Sequence, residues 1–227
     1  MKLLAIETAT EACSAALLYD AEISLRYQVK PQGHSELILA MMDELLTEAG
    51  IGIGQLDALA FGRGPGSFTG VRIATGVIQG VAFGAGLPVV PVSTLAALAQ
   101  QAYRRYGATR LLPAYDARMG ELYWAAYQVD RKGVVELLGQ EQVADAEQVQ
   151  IPEGQGWFGV GSGWLAHGDL LGQRLNGRAE CGDPQMLCSA HDVAGLGAVG
   201  FERGEAVSAE RALPIYLRDN VAKRPGA

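Results

Sequence analysis

At 227 residues, with 49% hydrophobic and 19% charged side chains, the chain has room for one large domain or two small ones and is too apolar to be disordered. Its formal net charge of −7 argues against a surface that grips nucleic acid directly, so any RNA would be held through a partner. Cys13, Cys181 and Cys188 are too few and too widely spaced for a disulfide framework. There is no signal-peptide pattern and no run of about 18 apolar residues. A cytoplasmic protein without a membrane span is the expectation.

In chain order, residues 2–8, 12–19 and 22–29 read as strands joined by short turns, an antiparallel meander. Residues 34–50 read as a helix ended by Gly50. A strand at 56–61, a helix at 69–84, a strand at 89–92 and a helix at 94–106 follow, so the later crossovers should be parallel. A second block begins near Arg110. It has strands at 111–115, 121–129 and 134–138, a short helix at 144–150, a strand at 157–160 and a glycine-bearing helix at 189–202. The last residues, 223–227, read as frayed. The second block echoes the first in its strands and glycine turns only faintly. The expected division is 1–108 and 109–212, with 213–227 packing back on the first lobe.

Two helices carry more apolar surface than one core requires. At about 100° per residue, Leu37, Ile38, Leu39, Met41, Met42, Leu45, Leu46 and Ala49 cover roughly 200°, against a stripe of about 100° for an ordinary surface helix. In the helix at 69–84 only Arg72, Thr75 and Gln79 are strongly polar, and Gly76, Gly80 and Gly84 recur every fourth residue. Such a stripe lets another backbone approach closely. One reading buries both helices under the second block. The other makes them a partner interface, carried by His34, Leu37, Ile38, Met41, Met42 and Leu45 with Arg72, Ile73, Gly76, Val77, Gly80 and Gly84.

Five segments carry a family resemblance: Leu4-Ala5-Ile6-Glu7-Thr8, Gly33-His34-Ser35-Glu36, Gly64-Pro65-Gly66-Ser67-Phe68-Thr69-Gly70-Val71-Arg72, Pro91-Val92-Ser93-Thr94-Leu95 and Asp116-Ala117-Arg118-Met119-Gly120-Glu121-Leu122-Tyr123. With a weaker echo at Pro214-Ile215-Tyr216-Leu217-Arg218, the chain resembles the TsaB (YeaZ) family of the machinery that makes threonylcarbamoyladenosine in tRNA. The resemblance implies an α/β, actin-like (ASKHA, ribonuclease-H-like) fold of two lobes, with mixed sheets flanked by helices. It implies a heterodimer with TsaD, the related subunit that transfers the threonylcarbamoyl group. TsaE, an ATPase, would join that complex, and TsaC would supply the activated group. The chain would touch tRNA only indirectly, and a nucleotide could sit at its boundary with TsaD.

TsaD-like proteins carry a metal-binding histidine pair, whereas the corresponding stretch here, Val92-Ser93-Thr94-Leu95-Ala96-Ala97, has no histidine, cysteine or carboxylate. His34, His167 and His191 are not at metal-pair spacing. The expectation is a non-catalytic paralogue with no metal and no cofactor of its own. Cys181, Cys188 and His191 match no common zinc spacing. Glu7 and Thr8, ending the first strand, are the candidate nucleotide contacts of an actin-like ATPase or small-molecule kinase, the main alternative. Gly159-Val160-Gly161-Ser162-Gly163 reads as a turn. Asp116, Arg118 and Glu121 form either a salt-bridged turn or a site facing the cleft. The loop before the second helix lacks the Lys-Ser/Thr of a phosphate loop. Ser67 lacks a nucleophile elbow, so a peptidase is disfavoured and Ser67 or Thr69 is better read as a helix N-cap. The same helices could also pair with themselves in a homodimer.

Overall fold

The computed structural model describes residues 1–31 and 33–218. Its elements are β1 (Leu3–Glu7), β2 (Ala12–Tyr19), β3 (Glu22–Val29), α1 (His34–Ala49), β4 (Ala58–Gly62), α2 (Phe68–Ala85), β5 (Val89–Val92) and α3 (Thr94–Tyr106) in the first half. The second half has β6 (Arg110–Arg118), β7 (Glu121–Val129), β8 (Val135–Asp145), β9 (Trp157–Val160), α4 (Ser162–Leu175), β10 (Ala179–Asp183) and α5 (Ala190–Glu202). The strands form two five-stranded sheets, β3-β2-β1-β4-β5 and β10-β9-β6-β7-β8. In each, the first three strands are antiparallel and the last two run parallel to the first.

Period-two alternation sends each central strand to two cores. Leu4 and Ile6 of β1 face α1 and α2, while Leu3 and Ala5 face a core shared with Leu111, Tyr115 and Tyr127 of the second sheet. Leu112, Ala114 and Trp124 face outward onto α4. The last helix of the first half, α3, packs on β6 of the second sheet, and α5 packs on β1, β2 and β4 of the first. Arg104 of α3 reaches α5 with two bonds to the Asp192 carboxylate, at 2.9 and 2.8 Å. A division at residue 109 therefore leaves one helix of each half on the other half's sheet.

Several sequence readings change. The helix expected at 144–150 is absent because β8 stays paired with β7 as far as Glu121 opposite Asp145. Only a single turn follows, with the Val149 N–H bonding the Asp145 carbonyl at 3.1 Å. Residues 159–163 are a strand-to-helix junction, not a plain turn. A Cβ on Gly159 would lie 2.1 Å from the Trp164 ring, so glycine is what allows α4 to close on β9. Helix α4 and strand β10 were not anticipated. Helix α2, at 18 residues with a mean hydropathy of 1.2, is long and apolar enough to cross a membrane by length and composition, which the apolar-run criterion did not credit. Its Ala74, Ile78 and Ala82 are buried against the first sheet. The frayed stretch 223–227 lies outside the described residues.

Candidate functional site

Two places stand out: a cavity between the lobes and the outer face of α1 and α2. The cavity, about 470 Å³, is bounded by Ser67 and Phe68 at the start of α2, Asp116 and Arg118 from the β6–β7 turn, and Tyr216 and Arg218 from the C-terminal segment. Ser67 caps α2, accepting a 3.4 Å bond from the Gly70 N–H as the sequence suggested. Asp116 and Arg118 form the salt-bridged turn, at 3.1 Å, and line the cavity, while Glu121 is not part of its wall. Glu121 pairs with Arg218.

Glu7 and Thr8 do not reach the cavity. Thr8 donates its hydroxyl to the Gly70 carbonyl at 2.7 Å, inside the crossing of α2 over the β1–β2 turn. Glu7 is fully buried. Its carboxylate accepts the Ala9 N–H at 2.5 Å and the Cys188 thiol at 3.5 Å. Burial raises its pKa from 4.5 to about 7, against the opposing pull of the Ala9, Cys188 and Thr8 donors. Gly62 makes room for this carboxyl, since a Cβ there would sit 1.8 Å from it. Glu7 is thus a group sealed into the junction between sheet and α5.

The outer face is divided differently from the sequence reading. Ile38, Met41, Met42 and Leu45 are buried in the chain's own core, which explains part of the wide apolar arc of α1. His34 is buried as well, its Nε2–H donating to the Thr10 carbonyl at 2.8 Å. Leu37, Ile73 and Val77 are only half-covered, and Arg72, Gly76, Gly80 and Gly84 lie at the surface. A Cβ added at Gly76, Gly80 or Gly84 meets nothing within 4 Å. The chain's own packing therefore does not require these glycines. Phe83 beside them is 76% exposed. The second sheet lies on the opposite face of the first sheet, so α1 and α2 are not buried beneath it. From the second half, Ala209–Arg211 packs on α2, and Gln79 donates to the Ala212 carbonyl at 3.0 Å.

Among the described residues no group of three or more His, Cys, Asp or Glu side chains is placed to hold a metal. Cys188 is buried and Cys181 exposed. The part of the site that sequence reasoning missed is the C-terminal segment. Its signal was the weak Pro214-Ile215-Tyr216-Leu217-Arg218 motif.

The paired mixed sheets with crossed-over helices define the actin-like, ribonuclease-H-like class of two-lobed α/β proteins. A family model described as TsaD, tRNA N6-adenosine threonylcarbamoyltransferase, matches residues 28–158. The protein named tRNA threonylcarbamoyladenosine biosynthesis protein TsaB from Escherichia coli is 45% identical over the whole chain and 99% of its own length. Its namesake from Haemophilus influenzae is 41% identical over the whole chain and 98% of its length. Among solved structures, YeaZ from Pseudomonas aeruginosa aligns with a TM-score of 0.86 at 45% identity, covering 95% of this chain and all of that one. Another, described as similar to peptidase YeaZ, aligns at 0.89 with 47% identity, covering 96% and 99%. The chain belongs to the TsaB (YeaZ) family.

Proposed function

We propose that this chain is the non-catalytic scaffold subunit of the assembly that forms N6-threonylcarbamoyladenosine in tRNA. It pairs with TsaD, is joined by TsaE, and meets tRNA only through them. The names of full-length relatives at 45% and 41% identity support the pathway. The observation that carries the scaffold role is the outer face of α2. Gly76, Gly80 and Gly84 are exposed on a helix whose own fold leaves empty space above each of them. Three glycines in one helix cost about 1 kcal/mol each relative to alanine, and close approach of a second helix offsets that cost. Leu37, Ile73 and Val77 flank the stripe and supply the apolar contact. The subunit acts by holding its partner's reacting groups in place, which is preorganisation without chemistry. Neither Glu7 nor Thr8 borders the cleft cavity, which disfavours the actin-like ATPase alternative.

The test is sedimentation of the chain alone and mixed with its TsaD homologue. A 1:1 heterodimer that displaces any self-association, and that Gly80→Leu abolishes in a folded protein, is the expected result. Self-association unaffected by TsaD would replace this reading with a homodimer. Specific ATP binding by the lone chain would restore the ATPase.

A further inference from the structure

The segment from Ala212 to Arg218 is anchored at both ends by directional bonds and buries little between them. At its start the Ala212 carbonyl takes the Gln79 bond from the middle of α2. In the middle, the Ile215 N–H donates to the Arg63 carbonyl at 2.9 Å. The Tyr216 ring lies 6.0 Å from that of Phe68, and the Arg72 guanidinium sits over both rings, at 3.4 Å from Phe68 and 5.3 Å from Tyr216. All of these partners belong to the first lobe. At its end, Arg218 Nη2 donates to the Ala117 carbonyl of β6 at 2.9 Å and to the Glu121 carboxylate of β7, on either side of the β6–β7 turn of the second lobe. Leu213, Ile215 and Tyr216 are substantially exposed. A segment with few buried contacts and a handful of polar ties belongs to the low-stability end of a fold.

We infer that residues 212–218 form a latch that closes the two lobes over the cleft cavity, and that releasing Arg218 from the β6–β7 turn opens the cleft. The cavity lies between the α2 start and that turn, and Ile215, Tyr216, Leu217 and Arg218 form part of its wall. Beside the latch the lobes are also joined by other groups. There Glu141 of β8 accepts bonds from Tyr127, at 2.8 Å, and Ser93, and lies 3.8 Å from Arg63. The latch does not depend on the identity of any partner.

Cys188 reports on this motion. It is fully buried, with its thiol facing Glu7 of the first lobe and the Thr94 carbonyl at 3.7 Å, beside Tyr115 of the second. Cys13 is equally buried but lies wholly within the outer core of the first lobe, 3.9 Å from the His34 carbonyl. In the full chain carrying Cys181→Ser, labelling by dithiobisnitrobenzoate can be followed at both thiols by mass spectrometry. Arg218→Ala is expected to speed Cys188 labelling about tenfold, the scale of one lost charged hydrogen-bonded contact, and to leave Cys13 unchanged. Glu121→Ala should do the same, and the double variant should add little to either. Should Arg218→Ala fail to fold, Tyr216→Ala loosens the hold on the first lobe and must give the same selective effect. An unchanged Cys188 rate, or equal acceleration of Cys13 and Cys188, would overturn the latch.

Discussion

The two halves of the molecule repeat one strand pattern, yet they cover their sheets differently. In the first, the β3–β4 connection holds the 16-residue α1, which with α2 roofs the outer face. In the second, the matching β8–β9 connection has only a turn. Its sheet is covered instead by Trp124, Trp157 and Trp164 with the single helix α4, which kinks at His167. The inner faces are alike: each half sends its last helix to the other's sheet, and the two exchanged helices pack on each other. The halves diverge in the outer layer, and there the first half offers an open two-helix face with glycines at its centre. Shared architecture sits inside the molecule; the exposed glycines of α2 sit on one outside surface.

The strongest way to break this contrast is to fill the glycine face of one half and its counterpart in the other. Gly172 of α4, like Gly80 of α2, has nothing within 4 Å of an added Cβ. Gly80→Leu is expected to weaken TsaD binding on the order of 1000-fold, about 4 kcal/mol, while Gly172→Leu leaves it unchanged. Titration by calorimetry distinguishes the two. Equal losses would mean that the outer faces are not functionally distinct.

Each half also holds a carboxylate near the end of its first strand, and their surroundings differ. Asp116 is half-exposed and paired with Arg118, whereas Glu7 is sealed beside Cys188. Folding raises the Glu7 pKa from 4.5 to about 7, so the folded chain keeps a proton that the unfolded chain has released. Stability should therefore fall as pH climbs through that interval and then level off, by roughly 3 kcal/mol in all. Glu7→Gln removes this dependence. Urea melts at about pH 5 and pH 8 should show the variant gaining on the wild type at the higher pH. Parallel curves would place the charged form of Glu7 in a better-solvated site than the structure gives it.

The exchanged helices can be tested through their ion pair. Burial pushes the Asp192 carboxyl up, but the paired hydrogen bonds and charge of Arg104, with His191 beside it, pull it below its ordinary value. Arg104→Ala strands a buried carboxylate and should cost about 2 kcal/mol, less than a fully buried pair because Arg104 is partly exposed. Arg203→Ala removes only an exposed contact to Glu136 at 3.7 Å and should change stability by less than about 0.5 kcal/mol. Urea midpoints check both, and similar values for the two would show that the exchange is not held by this pair.

The same asymmetry decided what the sequence disclosed. In the first half the strands are short apolar runs bounded by turns and the helices end at Gly50, Gly86 and Gly107, so every element could be read in place. In the second, α4 carries Gly163, Gly168 and Gly172 and bends at His167, which breaks the helical pattern. Strand β10, Ala-Glu-Cys-Gly-Asp, is built from poor strand formers, and its pairing with β9 holds it in place. At the outer face, the wheel of α1 counted Ile38, Met41, Met42 and Leu45 toward a partner because no local pattern says which side of a broad apolar arc the sheet takes. The wall contributed by residues 215–218 was legible only as a weak motif in a tail expected to pack back on the first lobe. Its contacts to Arg63 and Glu121 span more than 90 positions, and nothing local encodes them.

The smallest expected effect separates folding from docking most finely. Gly76 has an ordinary helical conformation and open space above it, so Gly76→Ala should raise the stability of the isolated chain by about 0.5–1 kcal/mol through helix propensity alone. At Gly163 of α4 the same change drives a Cβ to 2.7 Å from that of Ala114 and 3.0 Å from the Ala114 backbone, and it should destabilise. Thermal melts give both signs. If the α2 glycines serve a partner, the stabilised Gly76→Ala chain should bind TsaD less tightly than wild type even as its melting point rises. A gain in both properties would mean that the methyl is accommodated at the contact, leaving the open face of α2 without a reason to be bare.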